Sequence, residues 1–380
     1  MTRVVGLSFF LNGLAFASWA GRIPDVRAAL SLSAPQLGLL LLAMSIGSVG
    51  ALASSGALIH RHGPRAVVLA GVVLVSVGMS GLSFGVALGS VSVAALSLAT
   101  YGVGTAVWDV AMNVEGAEVE RASGRPIMPR FHAAFSLGTV AGALLAVLGT
   151  RVDESLLPHL LPMMGLVTLA GVLSGRRFVL GAAEGEEPSG VATAWREPRT
   201  LLVGVIVLVL ALTEGTANDW LAVALEDGYD ASRHVAVLGF ATFVAAMTTG
   251  RLLGPALLER HGRVRAVAAT MVLSLVGVFL VVFGGVLWLV VPGIVMWGVG
   301  ASLGFPVGMS AAADDPARAA ARVSVVSTIG YTAFLAGPPV LGFLAGAVGT
   351  LHALLVLGML VTLALPLVGW LRPVGAEAGA

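Results

Sequence analysis

The sequence has no cysteine, no lysine and only three tyrosines, and charged residues fill just 11% of its 380 positions. Without cysteine there is no disulfide, no thiolate nucleophile and no zinc–thiolate site. Charge this sparse excludes an ordinary water-soluble domain, in which about a quarter of the residues are charged. A net charge of +1 offers no broad basic face, so no nucleic acid partner is expected. Four of the seven histidines, His132, His159, His234 and His352, lie near the ends of apolar runs without ligand spacing, so no metal is expected, and no cofactor either. There is no His-Glu-x-x-His, no Gly-x-Ser-x-Gly and no P-loop, which argues against an enzyme and against a nucleotide-driven pump.

What fills the sequence is apolar: 57% of residues are hydrophobic, 50 are glycine, and the mean hydropathy is +0.97. A helix crosses the hydrocarbon of a bilayer with about 20 apolar residues. Breaking the apolar runs at charged, proline and glycine clusters gives twelve such segments, at 4–23, 35–59, 66–87, 91–114, 131–149, 155–175, 200–222, 234–258, 266–286, 288–311, 323–346 and 351–371. The expected fold is therefore an all-α membrane protein of twelve transmembrane helices, with small residues letting backbones approach closely in lipid. The first run contains Ala15-Phe16-Ala17, like a signal peptide with its cleavage site, but its removal would leave an odd number of spans.

All 21 basic residues are arginine, and their distribution orients the chain. With the N-terminus inside, sixteen fall in cytoplasmic loops, only Arg22, Arg27, Arg151 and Arg233 fall outside, and Arg251 lies within the eighth segment. By the positive-inside rule both termini are cytoplasmic, in the plasma (inner) membrane of the cell. One long polar stretch contains Glu184, Glu186, Glu187 and Pro188. Its composition reads as a linker, dividing the chain into a bundle at 1–175, a cytoplasmic linker at 176–199 and a second bundle at 200–380.

The two parts resemble each other. Arg61-His62-Gly63 after the second segment recurs as Arg260-His261-Gly262 after the eighth, and Gly102-Val103-Gly104 recurs as Gly298-Val299-Gly300. Internal repeats of this kind are typical of secondary transporters. At these residues the chain resembles the major facilitator superfamily over essentially its whole length. Gly56-Ala-Leu-Ile-His60-Arg61-His62-Gly63-Pro64-Arg65 is similar to that family's loop signature, with a histidine where the usual aspartate stands. The second copy, Glu259-Arg260-His261-Gly262-Arg263, keeps the acid but has Pro255 at the leading glycine position. The resemblance implies that Gly56, Arg61, Gly63, Arg65, Glu259, Arg260 and Gly262 belong to cytoplasmic gate loops, with Glu118 or Glu120 as substitutes for the acid missing at position 60.

Three stretches are similar to the fucose/proton symporter branch of that superfamily: Phe9-Phe10-Leu11-Asn12-Gly13 with Ile23-Pro24, Asp109-Val-Ala-Met-Asn113, and Gly304-Phe305-Pro306. That branch has an acid in its first helix where this chain has Ala20, so Asp109 is the one acidic match.

A carboxylate in hydrocarbon costs roughly 2.5 to 3.5 kcal/mol, so acids inside spans usually face a wet cavity or a bundle interior. Asp109 and Glu214 are the two clear cases, and each belongs to a polar stripe at helical spacing: Tyr101, Thr105, Asp109 and Asn113, and Glu214 with Asn218. Asn12, Phe16 and Trp19 share a face of the first segment, and the tenth carries Trp297. The resemblance implies that the first, fourth, seventh and tenth helices line a central cavity. The expectation is that Asp109 and Glu214 handle a coupling proton while Asn12, Phe16, Trp19, Tyr101, Thr105, Asn113, Asn218 and Trp297 hold a small-molecule solute. An acid that serves only as a hydrogen-bond partner between helices is the alternative. The function expected is a proton-coupled secondary transporter, acting as a monomer in the lipid bilayer, with a sugar-like solute favoured. A drug-efflux antiporter, and then a membrane-embedded enzyme or sensor, are the other readings. Asp219, Arg22 and Asp25 near outer span ends are expected to reach water, and Arg251 to snorkel toward the cytoplasm.

Overall fold

The computed structural model of the chain describes residues 1–123, 127–178, 191–315 and 318–373, and every regular element among them is helical. Among the described residues, eleven stretches of helix are long and apolar enough to cross a membrane. One of them, the 51-residue Arg233–Phe283, breaks at Gly262 into two arms, so the spans number twelve.

We label the spans in chain order. α1 is Thr2–Ala20 and runs on into the short helix Ile23–Ala29; α2 and α3 are the arms of Ala34–Ala87 on either side of Gly63. α4 is Val91–Ser123, α5 Met128–Val152, α6 Leu157–Gly175 and α7 Pro198–Tyr229. α8 and α9 are the two arms of Arg233–Phe283, and α10 is Leu287–Ala301, continued by Gly304–Ala312. α11 is Ala319–Val348, and α12 runs through Thr350–Ala353 and Leu355–Ala364 to a 3-10 turn at Leu365–Leu371. The first six spans form one bundle and the last six another. Of the linker expected at 176–199, a short helix at Val191–Ala194 packs Ala194 against Ala321 and Val325 of α11. Residues 179–190, with the acidic run, lie outside the described residues.

The repeated motifs have matching geometry in the two bundles. Gly63 (φ 77°) and Gly262 (φ 74°) make the α2–α3 and α8–α9 breaks, in a backbone region that a side chain disfavours, although nothing crowds either position. In the Gly-Val-Gly repeat the first glycine meets the helix before the break and the second meets the helix after it. A Cβ on Gly104 would lie 2.6 Å from the backbone of Val75 on α3, and one on Gly298 would lie 2.6 Å from the Phe243 carbonyl on α8. Gly102 abuts Met44 on α2 and Gly300 abuts Ser274 on α9 in the same way. Each of these glycines allows a backbone contact that a methyl group would block.

Call the end of the bundle that carries Thr2 the near end, and the opposite end the far end. At the far end the two bundles share one apolar core, in which Trp19, Ile23 and Leu37 of the first join Trp220, Val237 and Leu341 of the second. The near-end residues of the second bundle, such as Val207, Met271, Val307 and Val368, form a separate cluster. Ion pairs follow the same division. Asp25 pairs with Arg233 at 3.1 Å and Arg27 with Asp227 at 2.7 Å, both across the bundles and both at the far end. Arg22 and Asp25, expected to reach water, are instead buried at 0% and 2% exposure. Arg22 is held by Asp25 at 2.6 Å and by the carbonyls of Asp153, Glu154 and Ser155.

At the near end the ion pairs between described residues stay within one bundle. Arg263, in the second signature loop, pairs with Asp314 at 2.6 Å, and Glu197 takes Arg318 and Arg322. In the first bundle Glu118 pairs with Arg121, and Glu120 accepts the backbone N–H groups of Ile127 and Met128. Both acids considered as substitutes for position 60 are thus engaged locally, and Arg61, Arg65, Glu259 and Arg260 are exposed. Gly56 sits in regular α2 with open space around it.

Candidate functional site

Between the bundles lies a cavity of about 310 Å³. Its wall takes Asn12 and Phe16 from α1, Thr105 and Asp109 from α4, and Glu214 and Asn218 from α7. The i, i+4 spacing of the polar stripes puts each pair on one helix face, as helical geometry requires. Both acids expected from the sequence therefore share one chamber with four of the eight residues expected to hold solute.

The other four lie away from this wall. Trp19, Tyr101 and Trp297 are core residues with 1%, 1% and 0% exposure. The Trp297 indole nitrogen donates to the Thr213 carbonyl at 3.2 Å, and its ring meets Phe243 edge to face. Asn113 stands one turn below the wall and donates from Nδ2 to the Asp109 carbonyl at 2.9 Å and to Oδ1 at 3.3 Å.

Most of the rest of the wall comes from helices that showed no polar stripe. Ser45 and Ser48 of α2, Phe135 and Thr139 of α5, Arg251 of α8, and Tyr331 and Phe334 of α11 belong to it, beside apolar side chains such as Met44, Val49, Leu52, Val244 and Met247. Serine, threonine and phenylalanine are ordinary in apolar helices, so these positions carried no distinguishing signal. Ser45 could have been found through Pro338, whose missing N–H leaves the Phe334 carbonyl without its helical donor. The Ser45 hydroxyl donates to that carbonyl at 2.7 Å and ties α2 to α11 across the bundles.

The charges of the cavity are arranged unequally. Arg251 Nη2 stands 2.9 Å from both carboxylate oxygens of Glu214, so this pair is internally neutralised. Asp109 has the Asn113 amide and no cation paired with it among the described residues. Tyr331 lines the same cavity from the opposite bundle.

Four polar atoms in this wall are buried without a hydrogen-bond partner in the protein: Asn12 Nδ2, Thr105 Oγ1, Asn218 Oδ1 and Arg251 Nε. Asn12 and Asn218 are only 4% and 9% exposed. Buried polar groups are nearly always paired, so four orphans converging on one chamber mark a place for a polar guest. They include donors and an acceptor, which a hydroxyl group can serve in turn. No group of three or more metal-ligating side chains occurs among the described residues. A second recess, about 610 Å³, is more open and surrounds the Arg27–Asp227 pair at the far end.

Comparison with known proteins agrees with this architecture. Residues 203–379 match the model of the Major Facilitator Superfamily. The chain is 33% identical over 345 residues to an uncharacterised MFS-type transporter of Yersinia pestis, covering 89% of this chain and 87% of that one. Among solved structures, a mutant of the nucleoside transporter NupG superposes with a TM-score of 0.81 at 13% identity, covering 97% of this chain and 99% of that one. A mutant of the E. coli fucose:proton symporter FucP superposes with a TM-score of 0.64 at 14% identity, covering 98% of each chain. Two six-helix bundles around a mostly apolar chamber that holds a few polar and charged groups, with a relative this similar over nearly the full length, place the family beyond the fold alone: the chain belongs to the major facilitator superfamily of membrane transporters.

Proposed function

We propose that the chain is a proton-coupled secondary carrier that moves a small, hydroxyl-rich solute across the inner membrane by alternating access. The observation that carries this reading is the set of four unpartnered polar atoms in the cavity between the bundles. Hydroxyls that both donate and accept match that set, and a cavity of about 310 Å³ suits a sugar- or nucleoside-sized guest. The named transport of nucleosides and of fucose with protons by two proteins of the same fold supports the same class of solute.

The arginine distribution supports cytoplasmic termini, which makes the far end the outer end. The conformation described is then inward-facing, with bridges between the bundles at the outer end and none between described residues at the cytoplasmic end. Alternating access requires those outer bridges to part as the inner mouth closes. The solute-holding set on this reading is Asn12, Phe16, Thr105, Asn218, Arg251 and Tyr331, in a monomer.

Efflux of a lipophilic cation is the second reading, favoured by Phe16, Phe135 and Phe334 in the same wall as Asp109. Counterflow into proteoliposomes separates the two. Labelled fucose and uridine exchange if the first reading holds, with the exchange lost in Asn12→Ala and Asn218→Ala. Exchange of a labelled quaternary ammonium compound alone favours the second, and chemical alteration of the solute rejects both.

A further inference from the structure

The two acids of the cavity differ in a way that their similar spacing on α4 and α7 conceals. Glu214 is ion-paired to Arg251, which sits on α8 of the same bundle. The pair therefore travels as one body when the bundles rock, and no step of alternating access has to break it. Asp109 belongs to the other bundle and has only an amide from its own helix.

Closing the inner mouth over this chamber strips water from both acids. For a charged, unpaired carboxylate that step is expensive, whereas a neutral acid or a neutralised ion pair passes it at far lower cost. The Glu214–Arg251 pair carries no net charge into the closed state. Asp109 enters it cheaply only with a proton.

Resting on the carrier reading above, we infer that Arg251 is a positioning residue that separates the roles of the two acids. It holds Glu214 charged, as a fixed acceptor for solute hydroxyls, and leaves Asp109 as the one cavity group that takes up and releases the coupling proton. A proton from water on one side adds to an Asp109 carboxylate oxygen and leaves that oxygen for water on the other side. No bond in the solute is made or broken. The unpartnered Arg251 Nε–H remains available to donate to a solute oxygen while Nη2 stays on Glu214. The polar groups that line the same cavity as Asp109 from the surrounding helices are few: Tyr331 on α11, the Glu214–Arg251 pair on α7 and α8, and uncharged Asn12, Ser45, Ser48, Thr139 and Asn218 on α1, α2, α5 and α7. His132 of α5 lies within the field of Arg251 and adds a cation on that side when protonated.

Infrared titration of the purified full-length chain tests this without any solute. On acidification, wild type and Glu214→Gln should gain the same carboxylic-acid C=O band, and Asp109→Asn should lack that component. Arg251→Gln should gain a second component that disappears in the Arg251→Gln/Glu214→Gln double variant, while Arg251→Lys should resemble wild type. A component that survives Asp109→Asn and disappears in Glu214→Gln overturns the assignment, as does an Arg251→Gln spectrum identical to wild type. If Arg251→Gln does not fold, the Asp109 and Glu214 variants decide the matter alone. Because the titration needs no transport, failed counterflow rejects the carrier reading and reversed spectra reject the division of roles.

Discussion

Arg27 Nη1 lies 2.7 Å from both carboxylate oxygens of Asp227, a residue 200 positions later and in the other bundle. Thr350 adds its hydroxyl to the same carboxylate. The pair is partly exposed, at 22% and 32%, so its net contribution is of the order of 1 kcal/mol or less. Arg27→Ala should therefore shift the balance between inward- and outward-facing states by a few-fold and leave the fold intact. Spin labels on cysteine pairs across the far end should report a larger separated population in this variant, and an unchanged distance distribution would remove the latch from the account.

The neighbouring cluster is buried and should behave differently. Asp25 holds Arg22 and Arg233 together. Removing one partner of a buried pair leaves an uncompensated charge, at a cost of about 3 to 5 kcal/mol. Asp25→Ala should give little folded protein on size exclusion, whereas wild-type yield in that variant would place Arg22 in water.

The helix breaks predict a contrast among glycines. Gly63→Ala and Gly262→Ala place a Cβ at φ values near 75° with extended ψ, a region that is essentially glycine-only, which costs roughly 1 to 3 kcal/mol each. Gly56→Ala lies in helix with open space around it and should gain up to about 1 kcal/mol. Thermal melts in detergent should move down for the first two and not for the third.

At the cytoplasmic end, the hydrogen bond from Arg322, with those from Thr200 and Arg318, holds the Glu197 carboxyl well below its ordinary value of 4.5, at about 2. A depressed folded-state value means that the stabilisation is fully present above pH 4.5 and is lost as the pH falls from there through about 2. Glu197→Gln should be less stable than wild type at neutral pH, and the difference should shrink across that acid window. A difference that stays constant between pH 7 and pH 2 would contradict the pairing.

How much of this was legible in the sequence depends on the kind of physics involved. The spans could be read because hydrocarbon thickness sets their length, and the bundle relationship could be read because Gly63 and Gly262 must both be glycine for the same backbone reason. Asp109 and Glu214 stood out because an acid in an apolar run is costly. The partner of Glu214 did not: Arg251 is 37 residues away on an adjacent helix, and no periodicity links them. Trp19 and Tyr101 share helices with cavity residues, because a helical stripe is wide enough to include both a cavity face and a helix–helix contact, whereas α10, which carries Trp297, contributes nothing to the wall. Only packing distinguishes the two, as the Thr213 carbonyl does for Trp297.

The absence of native cysteine makes one measurement especially direct, since Ser48→Cys would carry the sole thiol of the protein, in the wall of the cavity. Its reaction with a membrane-impermeant maleimide can be followed in inside-out and right-side-out vesicles. An inward-facing chamber between the bundles gives faster labelling from the cytoplasmic face, slowed by any solute that the protein carries. Equal rates from both faces, or faster labelling from outside, would contradict it.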